Sequence, residues 1–273
     1  MKKLKIFTFF LTVFVGFTET ANAESIFLLP DDFVGISFWI VSMGMLAATA
    51  FFFMEQANVS VQWRKSVNVA GLVTGIAFIN YLYMRAVWVE TQDTPIVYRY
   101  IDWFITVPLQ LIQFYLILSA VRKVSIGIFW RILIGSLVML IGGYCGYAGF
   151  IKPILGFVIV IVGWLYILYE IFSGEAGVIA AKSGNKSLSI SFGTLRMIVT
   201  VGWAIYPLGY VFGYLTESLN VEALNVIYNL ADFINKIAFG VVIWTCAVSN
   251  LSLIHISEPT RPRLISYAVF CLK

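Results

Sequence analysis

Apolar residues run along this chain in long unbroken blocks. Seven blocks, at about 33–55, 65–88, 97–120, 126–147, 151–173, 193–216 and 224–247, are each long enough to span a bilayer. Crossing as a helix takes about 20 largely apolar residues. Strands that build membrane barrels would show as alternating stretches of about ten residues, and none occurs. A backbone inside lipid must satisfy its own polar groups, so the pattern predicts an all-α bundle of seven transmembrane helices. A shorter apolar run, Ile6 to Phe17, follows Lys2, Lys3 and Lys5 and precedes Ala21-Asn22-Ala23. A basic start, a short apolar stretch and a small-x-small site predict a signal peptide over 1–23, cleaved after Ala23. The connections between blocks are short. The longest, Gly174 to Ser189, is polar with Gly and Ser and predicts a mobile loop. The chain thus divides into the signal segment, a seven-helix domain over 24–250, and a tail over 251–273.

Charge gives the orientation. Arg64 and Lys65 follow the first block, Arg122 and Lys123 the third, and Lys182, Lys186 and Arg196 lie between the fifth and sixth. The alternate connections hold Glu90 and Asp93, then Lys152 alone, then Glu217 and Glu222. Lysine and arginine favour the cytoplasmic side, so the first set belongs inside and the amino terminus outside. A cleaved signal peptide implies the same orientation. The chain is therefore expected to be a multi-pass protein of a bacterial inner membrane, with lipid as its surroundings.

Composition narrows the classes further. The 273 residues are 60% hydrophobic, 16% aromatic and only 12% charged. A soluble domain has about 25% charged and 45–50% apolar residues. This balance excludes a soluble enzyme, a disordered tail and a nucleic-acid binder. Cys145, Cys246 and Cys271 are too few and too scattered for a disulfide framework, and the single histidine, His255, excludes a multi-histidine metal centre.

The informative residues are the charges inside the blocks, since ionisable groups in a bilayer are costly and usually functional. Arg99 and Asp102 are three apart and share a helix face. Asp232 and Lys236 are four apart and also face together. Lys236 lies near mid-block, too deep to reach the headgroups. An amine in such a place is a good nucleophile toward an aldehyde and forms a Schiff base. The two carboxylates would be its counterions and Arg99 would balance the surplus negative charge. A structural ion-pair cluster accounts for the same four residues, so both readings stand on charge alone. Trp103, Trp164, Trp203, Tyr206 and Tyr228 fall within the third, fifth, sixth and seventh segments, several of them at mid-block. They could line a slot for a long, flat polyene.

Three motifs carry a family resemblance: RYIDWFITVPL at 99–109, GWAIYP at 202–207 and YNLADFINK at 228–236. With GLVTGIAF at 71–78 and Tyr169-Glu170, they resemble microbial rhodopsins of the proteorhodopsin branch, over about 33–248. The resemblance implies that Lys236 binds all-trans retinal as a Schiff base. It implies that Asp102 is counterion and proton acceptor, Asp232 the second counterion, and Arg99 an extracellular gate. Thr106 would belong to the motor motif with Asp102. Trp103, Trp164, Trp203 and Tyr206 would sandwich the polyene, and Tyr228 would orient Asp232. It also implies outward proton transport and a homo-oligomer of five or six copies. Relatives that move chloride or sodium lose the acceptor aspartate, and Asp102 is retained here.

The departures from the family pattern matter as much. The donor position, eleven residues past Asp102, holds Gln113 where glutamate is usual. That distance is three helical turns, about 16 Å. An amide cannot donate a proton at neutral pH, so a slow, strongly pH-dependent late photocycle is expected. Asn80 stands where many proteorhodopsins have a histidine bonded to the acceptor, and an amide there would still donate hydrogen bonds. Tyr147 replaces a frequent glutamate, which puts an extracellular release group in doubt. Gln110 is the residue of blue-absorbing members, so blue absorption is expected. Phe157 is bulky near where carotenoid-antenna relatives have glycine, which argues against a second chromophore. Residues 252–273 break the pattern and resemble translated sequencing-adapter DNA, so the tail is expected to be non-native, with no role for His255 or Cys271. Three functions follow: a light-driven proton pump, a photosensory rhodopsin with little transport, and a seven-helix receptor or transporter whose Lys236 is only an ion-pair partner.

Overall fold

The computed structural model describes residues 28–257, with side chains to residue 250. The segment 1–23, expected to be a signal peptide, and the part of the expected tail beyond 257 lie outside the described residues.

Seven spans run Phe33–Asn58, Val61–Thr91, Ile96–Val121, Ile126–Tyr147, Pro153–Ala181, Lys186–Leu215 and Val221–Asn250. We number them 1 to 7. No strand occurs among the described residues. Span 2 begins earlier than the apolar block predicts, because Val61, Gln62, Trp63 and Arg64 extend the helix ahead of it. Helix caps follow local chemistry: Asp32 accepts from the Gly35 amide at 2.7 Å, and Ser125 from the Gly127 amide at 3.1 Å.

The connection over 174–189 is not a loop, contrary to the prediction. Glu175–Ala181 is a helix, a second helix starts at Lys186, and only 182–185 lie between them. The reason is a buried carboxylate. Glu170 takes two 3.0 Å bonds from Arg131 and accepts from the Ala176 amide at 3.2 Å, which satisfies a free donor of the new helix. Arg131 also reaches Glu175 at 2.7 Å. Asn185 then caps the next helix, accepting from Leu188 at 2.9 Å.

Packing between spans 4 and 5 uses glycine for close approach. A methyl group on Gly142 would come within 2.3 Å of Ile159, and one on Gly156 within 2.7 Å of the Gly146 Cα. Small residues serve this purpose in membranes, where lipid is as apolar as leucine. Span 6 is irregular. Ile198–Gly202 and Val211–Leu215 are π-helical and flank the segment containing Pro207. Two side chains brace the first of these: Trp164 Nε1 donates to the Val199 carbonyl at 2.9 Å, and Asn235 Nδ2 to that of Gly202 at 3.0 Å.

Two apolar clusters fill the bundle. One contains Val34, Phe38, Met45, Tyr81 and Trp88, and the other Phe52, Trp63, Phe114, Phe192 and Phe239. Lys236 lies along span 7 between Phe233, packed on the first, and Phe239 of the second.

Candidate functional site

Spans 3 and 7 bring the four intramembrane charges together. Lys236 is 3% exposed, Asp102 and Arg99 0%, and Asp232 1%. Lys236 Nζ donates to Asp102 Oδ2, and to Asp232 Oδ2 at 3.0 Å. The i, i+4 spacing on span 7 sets the second contact. Two cations and two carboxylates leave the cluster electrically balanced.

The two carboxylates are held differently. Asp232 Oδ1 accepts from Tyr206 Oη at 2.6 Å, while its Oδ2 accepts from Tyr81 Oη at 2.8 Å and Trp103 Nε1 at 3.4 Å. Both oxygens are engaged. Asp102 Oδ1 is buried and has no partner among the described residues. Thr106 gives its hydroxyl to the Asp102 backbone carbonyl at 2.9 Å and lies 3.5 Å from Oδ2. Asp102 therefore keeps an oxygen at which a proton can be held, and Asp232 does not.

Lys236 and Asp232 both line a cavity within the bundle. Its walls include Trp103, Gln110, Trp164, Trp203, Tyr206 and Tyr228, all singled out from the sequence. Trp103 packs edge-on against Tyr206 and Tyr228, with ring centres 5.3 and 5.8 Å apart. Gly143 also lines the cavity, and a Cβ there would meet Tyr100 Oη at 2.8 Å. The cavity is mostly apolar, and Lys236 is the one amine in its lining. That donor set suits an apolar aldehyde. Gln110 Nε2 is buried without a partner, so it is free to face a bound chain.

Two sequence expectations need correction. Asn80 does not reach the acceptor or the cavity wall. Its Nδ2 donates to the Ile76 carbonyl at 3.0 Å, because a short amide on a helix finds its own backbone first. Tyr228 does not orient Asp232. Its hydroxyl goes to the Tyr206 carbonyl at 3.3 Å, and Tyr206 and Tyr81 bond the carboxylate instead. Tyr81 was not anticipated: its partner lies 151 residues away, and no local spacing marks it. Asn225, Asn229 and Asn235 on span 7 were also missed, although three asparagines in an apolar block are an unusual polar load.

Arg99, Thr106 and Gln113 stand outside the cavity wall. Gln113 is 0% exposed, and neither its Nε2 nor its Oε1 has a partner among the described residues. Phe157 stacks on Tyr210, with ring centres 5.9 Å apart. Tyr147 meets Tyr214 edge-on at 5.0 Å.

The chain is similar to known proteins in sequence and fold. Residues 32–250 match the family model of bacteriorhodopsin-like proteins. A blue-light absorbing proteorhodopsin of Gamma-proteobacterium Hot 75m4 is 52% identical over 224 residues, covering 81% of this chain and 89% of that protein. A green-light absorbing proteorhodopsin of Gamma-proteobacterium EBAC31A08 is 49% identical, with the same coverage of 81% and 89%. The crystal structure of blue light-absorbing proteorhodopsin from Med12 superposes with a TM-score of 0.70 at 51% identity. It covers 80% of this chain and 99% of that one. With its seven-helix bundle and its buried Lys236–Asp102–Asp232 cluster, the chain belongs to the bacteriorhodopsin-like family and is a proteorhodopsin-like microbial rhodopsin.

Proposed function

We propose that this chain is a light-driven proton pump that carries retinal on Lys236 and moves protons outward. One observation carries the reading: a fully buried amine, paired with two carboxylates, opens on an aromatic cavity. Proteins of this family carry retinal, and the proteorhodopsin relatives at about half identity support a pump rather than an enzyme.

Lys236 Nζ would hold retinal, which when bound would supply a light-driven isomerisation next to Asp102 and Asp232. The residues of the chain do the rest. Before light, Asp102 and Asp232 hold the charge on Nζ. Asp102 would be the acceptor of the Nζ proton, because its Oδ1 is unengaged among the described residues while both oxygens of Asp232 are engaged. Tyr206, Tyr81 and Trp103 keep Asp232 ionised in place, so the cluster retains a fixed negative pole. Trp103, Trp203 and Tyr206 wall the cavity and exclude water from it. Arg64 and Lys65 in the first turns of span 2, and Arg122 and Lys123 after span 3, support a cytoplasmic placement of those ends, which would make the Arg99 end the exit.

Reprotonation would be the slow step. Gln113 carries no titratable proton, so Lys236 Nζ would recover its proton from cytoplasmic water or another group. Its buried, unpartnered amide supports the photosensory reading as well, since a sensor tolerates slow recovery. Gln110, in the cavity wall, supports blue absorption.

Illumination of retinal-supplied cells in weak buffer tests the proposal. A pump acidifies the medium, a protonophore abolishes the signal, and Lys236→Ala lacks it. An intact photocycle without any pH change favours the sensor, and a colourless protein excludes both rhodopsin readings.

A further inference from the structure

Arg99 has a seat made of neutral groups. It is completely buried, and a buried cation is costly unless its donors are met. No carboxylate among the described residues pairs with it. Instead Nη2 donates to Asn225 Oδ1 at 2.9 Å and to Asn229 Oδ1 at 2.6 Å, and Nη1 donates to Tyr81 Oη at 3.4 Å. The rings of Phe38, Tyr81 and Tyr228 lie 5.5 to 6.0 Å from its central carbon.

Both asparagines are aimed from behind. Asn229 Nδ2 donates to Ser37 Oγ at 2.8 Å, and Ser37 in turn bonds the Val34 carbonyl at 2.7 Å. Asn225 Nδ2 donates to Thr94 Oγ1 at 3.3 Å and to the Val221 carbonyl at 3.0 Å. With the amide nitrogens so occupied, both carbonyl oxygens face Arg99. The two residues are four apart on span 7, one and two turns before Asp232, so they share its face. An acceptor that carried charge would neutralise the guanidinium. These acceptors hold it while leaving its charge intact.

We infer that Asn225 and Asn229 are positioning residues that keep Arg99 back from the Asp102–Asp232 pair, and thereby set the field at Lys236. The inference rests on Lys236 being the retinal attachment. With its seat removed, Arg99 closes on the carboxylates and cancels part of their negative charge. The cation on Nζ then loses ground-state stabilisation, and absorption moves to longer wavelength.

The test uses the full chain with retinal, in alkaline buffer where Asp102 stays ionised. Asn225→Ala and Asn229→Ala each shift the absorption maximum to the red, and the double variant shifts it further. Thr94→Val, which loosens Asn225 without touching Arg99, gives a smaller red shift and covers the case in which the asparagine variants fail to fold. Asn225→Gln retains the carbonyl and stays near the parent. In an Arg99→Gln background all of these shifts vanish, because the effect runs through the guanidinium. Unshifted spectra, or shifts that persist without Arg99, overturn the inference while the pigment itself stands. A parent chain that forms no pigment overturns the reading beneath it.

Discussion

At the scale of single residues, function turns on how unequally two aspartates are bonded. Tyr206, Tyr81 and Trp103 supply three donors to Asp232, while Asp102 has Lys236 and the marginal Thr106 contact. A hydrogen bond to a charged group contributes about 1.5–3 kcal/mol. Tyr206→Phe and Tyr81→Phe should each weaken the hold on Asp232 by about that much. The expected outcome is a lower thermal bleaching temperature, read from loss of visible absorbance on heating. Gln113→Glu restores a carboxylate three turns from Asp102 and should speed recovery of the ground state, measured by flash photolysis. Recovery no faster than in the parent would contradict the account of the missing donor. Gln110→Leu removes a dipole from the cavity wall and should shift absorption to the red.

Much of this site was legible in the sequence. Lys236 and Asp232 meet because i and i+4 share a helix face. Arg99 and Asp102 share a face at i and i+3 but do not pair, since Arg99 turns to Asn225, Asn229 and Tyr81. Helical spacing says nothing about which helices become neighbours, so Tyr81 stayed hidden although it is as close to Asp232 as Tyr206 is. The same limit misplaced Asn80 and Tyr228. Their spans were right, but each side chain found a backbone carbonyl that spacing does not reveal.

At the scale of elements, the apolar blocks predicted the spans well and the connections poorly. Hydropathy reports what lipid requires, and a helix outside lipid needs only partners for its ends. Glu170 provides one for Glu175–Ala181, which a polar stretch containing Gly and Ser did not suggest. Glu170→Gln weakens both the Arg131 contacts and this cap. Faster amide hydrogen exchange over 175–181, with the spans unchanged, is the expected result. Spans 4 and 5 depend on closeness instead. Gly142→Leu forces a side chain into Ile159 and should cost about 1–3 kcal/mol, seen as an earlier thermal transition.

At the scale of the whole molecule, seven helices serve to enclose one amine. Lys236 is buried from water, paired with charges from two spans and fronted by rings from spans 3, 5, 6 and 7. An ion-pair cluster that merely joined spans 3 and 7 would have no use for the mostly apolar cavity that Lys236 lines. Covalent occupancy of Lys236 is therefore the central claim, and mass spectrometry tests it most directly. The protein is incubated with all-trans retinal, the linkage is fixed by borohydride reduction, and peptides are mapped. The account predicts the retinyl mass on Lys236 in pigmented protein. A pigmented preparation with Lys236 unmodified would contradict it.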